Sequence, residues 1–211
     1  TWLSCEEVPN GLVWECDPLG IDMAVARPAL GRFNHEAAVV DPNTGMLYLT
    51  EDRTDGGWYR FTPEFIDADG VADLSSGDLE IARNDAGVVS WLPVPDASGA
   101  MVETRYQVAD STAFNGGEGT DYNDGFIYFT TKGDNRVWAY EISTSTLSVV
   151  YDVATSTTPI LRGVDNLEVG SLGDLLIAED TGGDMEIVII TPGGDILPLL
   201  QIVGHNSSEI T

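Results

Sequence analysis

LYLTEDRTDG (residues 47–56) and LLIAEDTGGD (residues 175–184) are short apolar runs that stop at a Glu-Asp pair and then turn through glycine. A third run, FIYFTTKGDN (residues 126–135), has the same shape with Thr-Lys in place of Glu-Asp. Gly45–Asp52, Gly125–Lys132 and Gly173–Asp180 align without a gap. After each turn comes a second apolar run: WYRFTP from Trp58, RVWAYE from Arg136 and EIVIITP from Glu186. Such runs, rich in Val, Ile, Tyr, Trp and Thr and bounded by Gly, Asn, Asp and Pro, predict strands.

Working outward, further strands are expected at LSVVYDV from Leu147 and ILPLLQIV from Ile196, and shorter ones ahead of each run at NHEAAVV, GEGTDY and DNLEV. The first segment repeats the plan, with TWLSCEE in the Glu-Asp slot and GLVWECDP after it. A unit of four strands and roughly 45 residues is the size of one propeller blade. The predicted fold is therefore all-β, a propeller of four-stranded antiparallel blades with about four blades' worth visible. Residues 1–211 are expected to form a single propeller domain or a fragment of one. The acidic, Gly-rich stretch 64–100 reads as a surface insertion within the second blade. The chain opens on Thr1 and ends at SSEIT as another strand begins, which reads as a processed chain or a fragment.

In a propeller the first strand of each blade lines the central channel. Aligned, the first strands place Glu36, Glu118, Asn166 and Glu209 at one position, so their oxygens are expected to converge on the axis. The second strands add Glu6 and Glu7, Glu51 and Asp52, and Glu179 and Asp180 beside them. Crowded carboxylates raise one another's pKa and are costly unless a cation sits among them. A hard cation such as calcium takes six to eight oxygens of this kind. Any single Glu-Asp pair also fits a strand that simply ends in solvent, since Asp favours turns.

Composition narrows the partners. Lys+Arg is 9 against Asp+Glu 35, a net charge of −26 that repels nucleic acid and anionic lipid and favours hard cations. A hydrophobic fraction of 43% is that of a globular chain. No run is long enough for a membrane helix. Cys5 is either a soft ligand suited to iron or zinc, or half of a disulfide with Cys16. His35 and His205 precede ring positions, and alternation turns His35 away from the side Glu36 faces. Arg32, Arg53, Lys132 and Arg162 are the candidate substrate-binding cations, although Lys132 equally suits a salt bridge with acidic neighbours.

At TWLSCEE, GRFNHEAAVVDP, LYLTEDR, DGFIYFTTKGDNRVWAYE, VDNLEV, GDLLIAED and GHNSSEIT the chain resembles the PhoX-type alkaline phosphatases. The resemblance implies a secreted or periplasmic six-bladed propeller that hydrolyses phosphate monoesters with calcium and iron. It further implies Cys5 as an iron ligand and Glu36, Asp52, Glu118, Asn166 and Glu209 as metal ligands. Two departures stand out: Asn115-Gly116-Gly117 precedes Glu118 where the family pattern has an arginine, and the chain is about two blades short of six. Two other functions fit the residues, a calcium-dependent lactonase-like hydrolase and a non-catalytic, calcium-stabilised extracellular propeller or assembly subunit. Self-assembly, or further chain completing the ring, is expected in the last case.

Overall fold

The computed structural model describes residues 2–180 and 185–204. Apart from two single 3-10 turns, Pro28–Leu30 and Thr104–Tyr106, the regular elements among the described residues are strands. Strands β1 (Trp2–Cys5), β2 (Val13–Cys16) and β3 (Val25–Ala26) form one antiparallel sheet. Next come β4 (His35–Val40), β5 (Leu47–Glu51), β6 (Trp58–Pro63) and β7 (Gly77–Asp85), with β8 (Val88–Pro93) added outside β7. The following unit is β9 (Gly117–Asn123), β10 (Phe126–Thr131), β11 (Arg136–Glu141) and β12 (Thr146–Asp152). The last is β13 (Val164–Val169), β14 (Leu175–Glu179), β15 (Met185–Ile190) and β16 (Ile196–Ile202), in that order in its sheet.

Stretch 64–100, read as an insertion, holds β7 and β8. Residues 64–76, ahead of β7, form an excursion closed by an Ile66↔Ala72 bridge. Strand β8 then reaches across to the next unit: Val88 pairs with Thr146, Val89 N–H donates to the Ser145 carbonyl at 2.8 Å, and Leu147 N–H donates to that of Gly87 at 2.8 Å. Two units are thereby hydrogen-bonded at their outer edges into one nine-stranded sheet, β4-β5-β6-β7-β8-β12-β11-β10-β9.

The second strand of each unit is apolar on both faces because it is covered on both faces. In β5 every residue is buried; Leu47 and Leu49 enter a cluster with Val13, Phe33 and Phe61, whereas Tyr48 enters another with Trp58, Phe129 and Tyr140. A third cluster joins Val137 and Tyr151 to Val164, Ile177 and Val188. The core thus lies between successive sheets stacked face to face, a propeller-like all-β arrangement. Strand β9 packs beside both β4 and β13, so the first strands of successive units adjoin.

Each of those first strands carries the same irregularity. Pairing breaks between His35 and Ala38 in β4, between Gly117 and Thr120 in β9, and between Val164 and Leu167 in β13. A β-bulge of this kind re-aims the side chains it contains. The bulges hold Glu36, Glu118 and Asp165.

A candidate metal centre between the inner strands

One carboxylate oxygen from each of Glu36, Glu118 and Asp165 lies within 4.8 Å of the other two. Glu36 is half-buried, while Glu118 and Asp165 are buried at 3% exposure each. Burial, then the charges of Asp165 and Glu36, push the Glu118 carboxyl up to about 9, with Lys132 opposing the shift. Asp165 is also raised, chiefly by burial. The set consists of oxygen donors only, desolvated and mutually repelling, which is what a hard divalent cation relieves. The donors present fit such an ion.

The structure brings Asp165, the residue before Asn166, to Glu36 and Glu118. His35, Gly117 and Val164 are the equivalent paired residues, opposite Glu51, Thr131 and Glu179, and the acid follows each of them by one position. Asn166 is half-buried and one residue further into the bulge. Its backbone packs tightly against β9: a Cβ on Gly119 would stand 2.7 Å from Asn166 Cα and 2.5 Å from Leu167 N, so only glycine fits there. Glu209 and His205 lie outside the described residues.

The Glu of the repeated Glu-Asp pair holds the chain rather than facing the centre. Glu6 Oε2 accepts from Leu12 N–H at 2.9 Å, and Glu51 Oε2 accepts from Gly57 N–H at 2.8 Å. Glu51 also accepts from the Tyr59 hydroxyl at 2.9 Å and from Arg105 at 2.8 Å. Glu179 Oε1 accepts from Arg162 N–H at 2.5 Å, and burial raises Glu179 to about 7. Glu7 is exposed.

The second member of the pair occupies an equivalent backbone site in every unit. Asp52, Lys132 and Asp180 donate their N–H to the carbonyls of Asn34, Gly116 and Gly163 at 3.1, 2.8 and 3.0 Å. Asp52 is half-buried, and its charge contributes to the raised Glu118. Lys132 Nζ donates to Asp165 Oδ2 at 2.8 Å and Asp180 Oδ2 at 2.5 Å and stands 3.9 Å from Glu118 Oε1.

Cys5 and Cys16 are both free thiols. In the β1–β2 register Cys5 faces Val13 and Cys16 faces Trp2. Three residues of strand separate them, roughly 10 Å, too far for a disulfide. Burial and the Glu36 charge push the Cys5 thiol up to about 12, which sets it beside the centre but protonated. His35 is fully buried, its ring tilted against that of Phe33 with centroids 3.6 Å apart, with Nε2 3.1 Å from the Gly31 carbonyl and its pKa lowered to about 4 by burial. It packs; it does not join the acids.

Arg32 and Arg162 are exposed, and Arg162 meets Glu179 through its backbone N–H and through its charge. Arg32 lines a small cleft of about 20 Å³ with Arg53 and Arg105. Sequence reasoning missed Arg105, which pairs with the fully buried Glu51 and with Asp55 and Glu103. It comes from a loop without periodicity, so no sequence signal marks it.

The sequence matches the alkaline phosphatase PhoX family over residues 3–144. The chain belongs to the PhoX family. Glu36 and Glu118 lie within the matched residues, and Asp165 lies beyond them. PhoX phosphatases are metal-dependent, in keeping with an acidic cluster able to hold a metal. No curated protein sequence matches the chain. Among solved structures, a chain of the nidogen/laminin complex superposes with a TM-score of 0.59 at 13% identity, over 97% of this chain. That likeness is one of fold alone, and this chain spans 63% of the length of its counterpart.

Proposed function

We propose that the chain binds calcium between Glu36, Glu118 and Asp165, at the axis of a propeller of four-stranded blades, and that this centre serves phosphate monoester hydrolysis. The observation that carries the reading is the convergence of those three carboxylates from three successive bulges, in a chain of the PhoX family. Bound there, a divalent cation would polarise a phosphoryl oxygen and lower the pKa of water. The chain's own groups then have distinct tasks. Glu36, Glu118 and Asp165 supply the charge that holds the ion. Asp52 adds to the field on Glu118. Cys5, beside Glu36, offers sulfur for a softer ion such as iron, which must first displace the thiol proton. Arg32, Arg53, Lys132 and Arg162 are the candidate cations for a phosphate ester, and of these Lys132 adjoins the acids. An extracellular or periplasmic setting, where calcium is abundant, accords with the family and with the absence of any membrane-length apolar helix among the described residues.

Glu118→Gln tests the reading. Removing this charge should abolish calcium uptake, measured by plasma mass spectrometry after dialysis, and lower turnover of a phosphomonoester at least about 100-fold. Retained turnover would sink it. Calcium uptake by the unsubstituted protein with no hydrolysis of any ester would favour the second reading, a calcium-stabilised propeller that binds or assembles. That reading draws on Asn115-Gly116-Gly117, which supplies no cation ahead of Glu118.

A further inference from the structure

Lys132 is the one member of its structural position that is not an acid. Asp52 and Asp180 occupy the same site in neighbouring units, each fixed by the same backbone hydrogen bond. Strand β10 is otherwise regular up to Thr131, whose hydroxyl donates to Asp134, so the lysine is not a by-product of an altered turn that sends its side chain elsewhere. Its ammonium points inward and bridges two units, from β10 to Asp165 on β13 and to Asp180 after β14. Glu118 Oε1 is 3.9 Å away on the same side. These oxygens surround a positive charge already, and its partners are those a metal ion would use.

We propose that Lys132 is a tethered cation, occupying by its ammonium a second hard-cation position bounded by Glu118, Asp165 and Asp180. The physical reason is electrostatic. Glu36, Glu118, Asp52, Asp165 and Asp180 crowd one region, and a single divalent ion on the Glu36 side leaves the Asp180 side uncompensated. An ammonium there supplies one charge without any ion being captured from solution, and it cannot dissociate. It also uses Asp165 for two purposes at once, as neighbour of the Glu36 side and as acceptor for Lys132, so the ammonium sets how many ions the centre takes. The inference deepens the metal reading and rests on it for the Glu36 side, while the lysine's own role is read from a difference between variants.

The experiment counts calcium per chain by plasma mass spectrometry, after gel filtration in buffered calcium, for the unsubstituted protein, Lys132→Ala and Lys132→Arg. Lys132→Ala should take up about one ion more per chain than the unsubstituted protein, and its melting temperature should respond more strongly to calcium. Lys132→Arg, which keeps the charge, should match the unsubstituted count. Where Lys132→Ala fails to fold in millimolar calcium, Lys132→Asp, carrying the residue type of the other two units, takes its place and the same count decides. Equal counts in the folded variant, an extra ion in Lys132→Arg, or failure of both variants to fold even in calcium would overturn the proposal. The two readings separate cleanly. No calcium on the unsubstituted protein defeats the Glu36-Glu118-Asp165 centre, whereas an extra ion on the variant speaks for Lys132 whatever that baseline is.

Discussion

Glu118 bears a large penalty in the centre. Its carboxyl is raised from 4.5 to about 9, first by burial and then by Asp165 and Glu36. The folded chain therefore holds this proton more tightly than the unfolded chain does. The resulting stabilisation is complete below the unfolded pKa and is lost as pH rises through about 9. Asp165 and Glu179 are raised too and act in the same direction. Without divalent ions, the urea midpoint should fall as pH rises from about 5 to about 9, and Glu118→Gln should shrink that fall. A midpoint that rises over this range would contradict the buried, mutually repelling arrangement. The cluster acids Glu36 and Glu118 were legible in the sequence because they hold the same position in a recurring short strand. Arg105 was not, since its importance lies in meeting a buried Glu51 that is remote in sequence.

At the scale of the element, the decisive feature is a bulge repeated in β4, β9 and β13. In each strand it holds an acid, Glu36, Glu118 or Asp165, one residue past the paired His35, Gly117 or Val164. The first and second strands are joined by turns of different length, residues 41–46, 124–125 and 170–174, so an alignment made on the second strand slips in the first. Only the pairing partners restore it. The same close approach demands Gly119. Gly119→Ala should cost roughly 2–4 kcal/mol in chemical denaturation, because the new methyl meets the Asn166–Leu167 backbone at 2.5–2.9 Å. Gly170→Ala, whose methyl would meet only ordinary contacts from 3.5 Å outward, should change stability by less than about 1 kcal/mol. Equal effects would mean that β9 and β13 do not pack as described. The repeated Glu of the Glu-Asp pairs likewise changes meaning here. Its carboxylate ties Glu6 to Leu12, Glu51 to Gly57 and Glu179 to Arg162, so the motif repeats partly because the chain must be tied down at that strand end.

Over the whole molecule, a net charge of −26 is spread around a core built between stacked sheets. Any added salt screens the surface repulsion, and a specific site responds to one ion beyond that. At about a hundredfold excess over its Kd, calcium should add about 2.7 kcal/mol, or roughly 5–11 °C for a chain of this length, over sodium chloride at matched ionic strength. A calorimetric scan showing equal shifts for the two salts would reduce the acidic composition to general surface charge. The outer edges bear on the same cooperativity. Strand β8 links two units through Val88 and Thr146, so those units are expected to melt together rather than in sequence.

By itself, the sequence determined that the chain is all-β, that its strands come in repeating groups of four, and that an acid or amide side chain recurs in the first strand of successive groups. Period, turn residues and composition are local properties, and they survive without knowledge of any contact. Tertiary structure decided which carboxylates meet. Asp165 joins Glu36 and Glu118 because each sits in the same bulge of its strand, Glu51 turns from the centre because Tyr59 and Arg105 claim it, and Cys5 and Cys16 stay apart because hairpin pairing sets them three residues out of step. Lys132 finds Asp165 and Asp180 across a gap of many residues for the same reason. Contacts between units depend on strand register and sheet stacking, and neither is written in any one stretch of the chain.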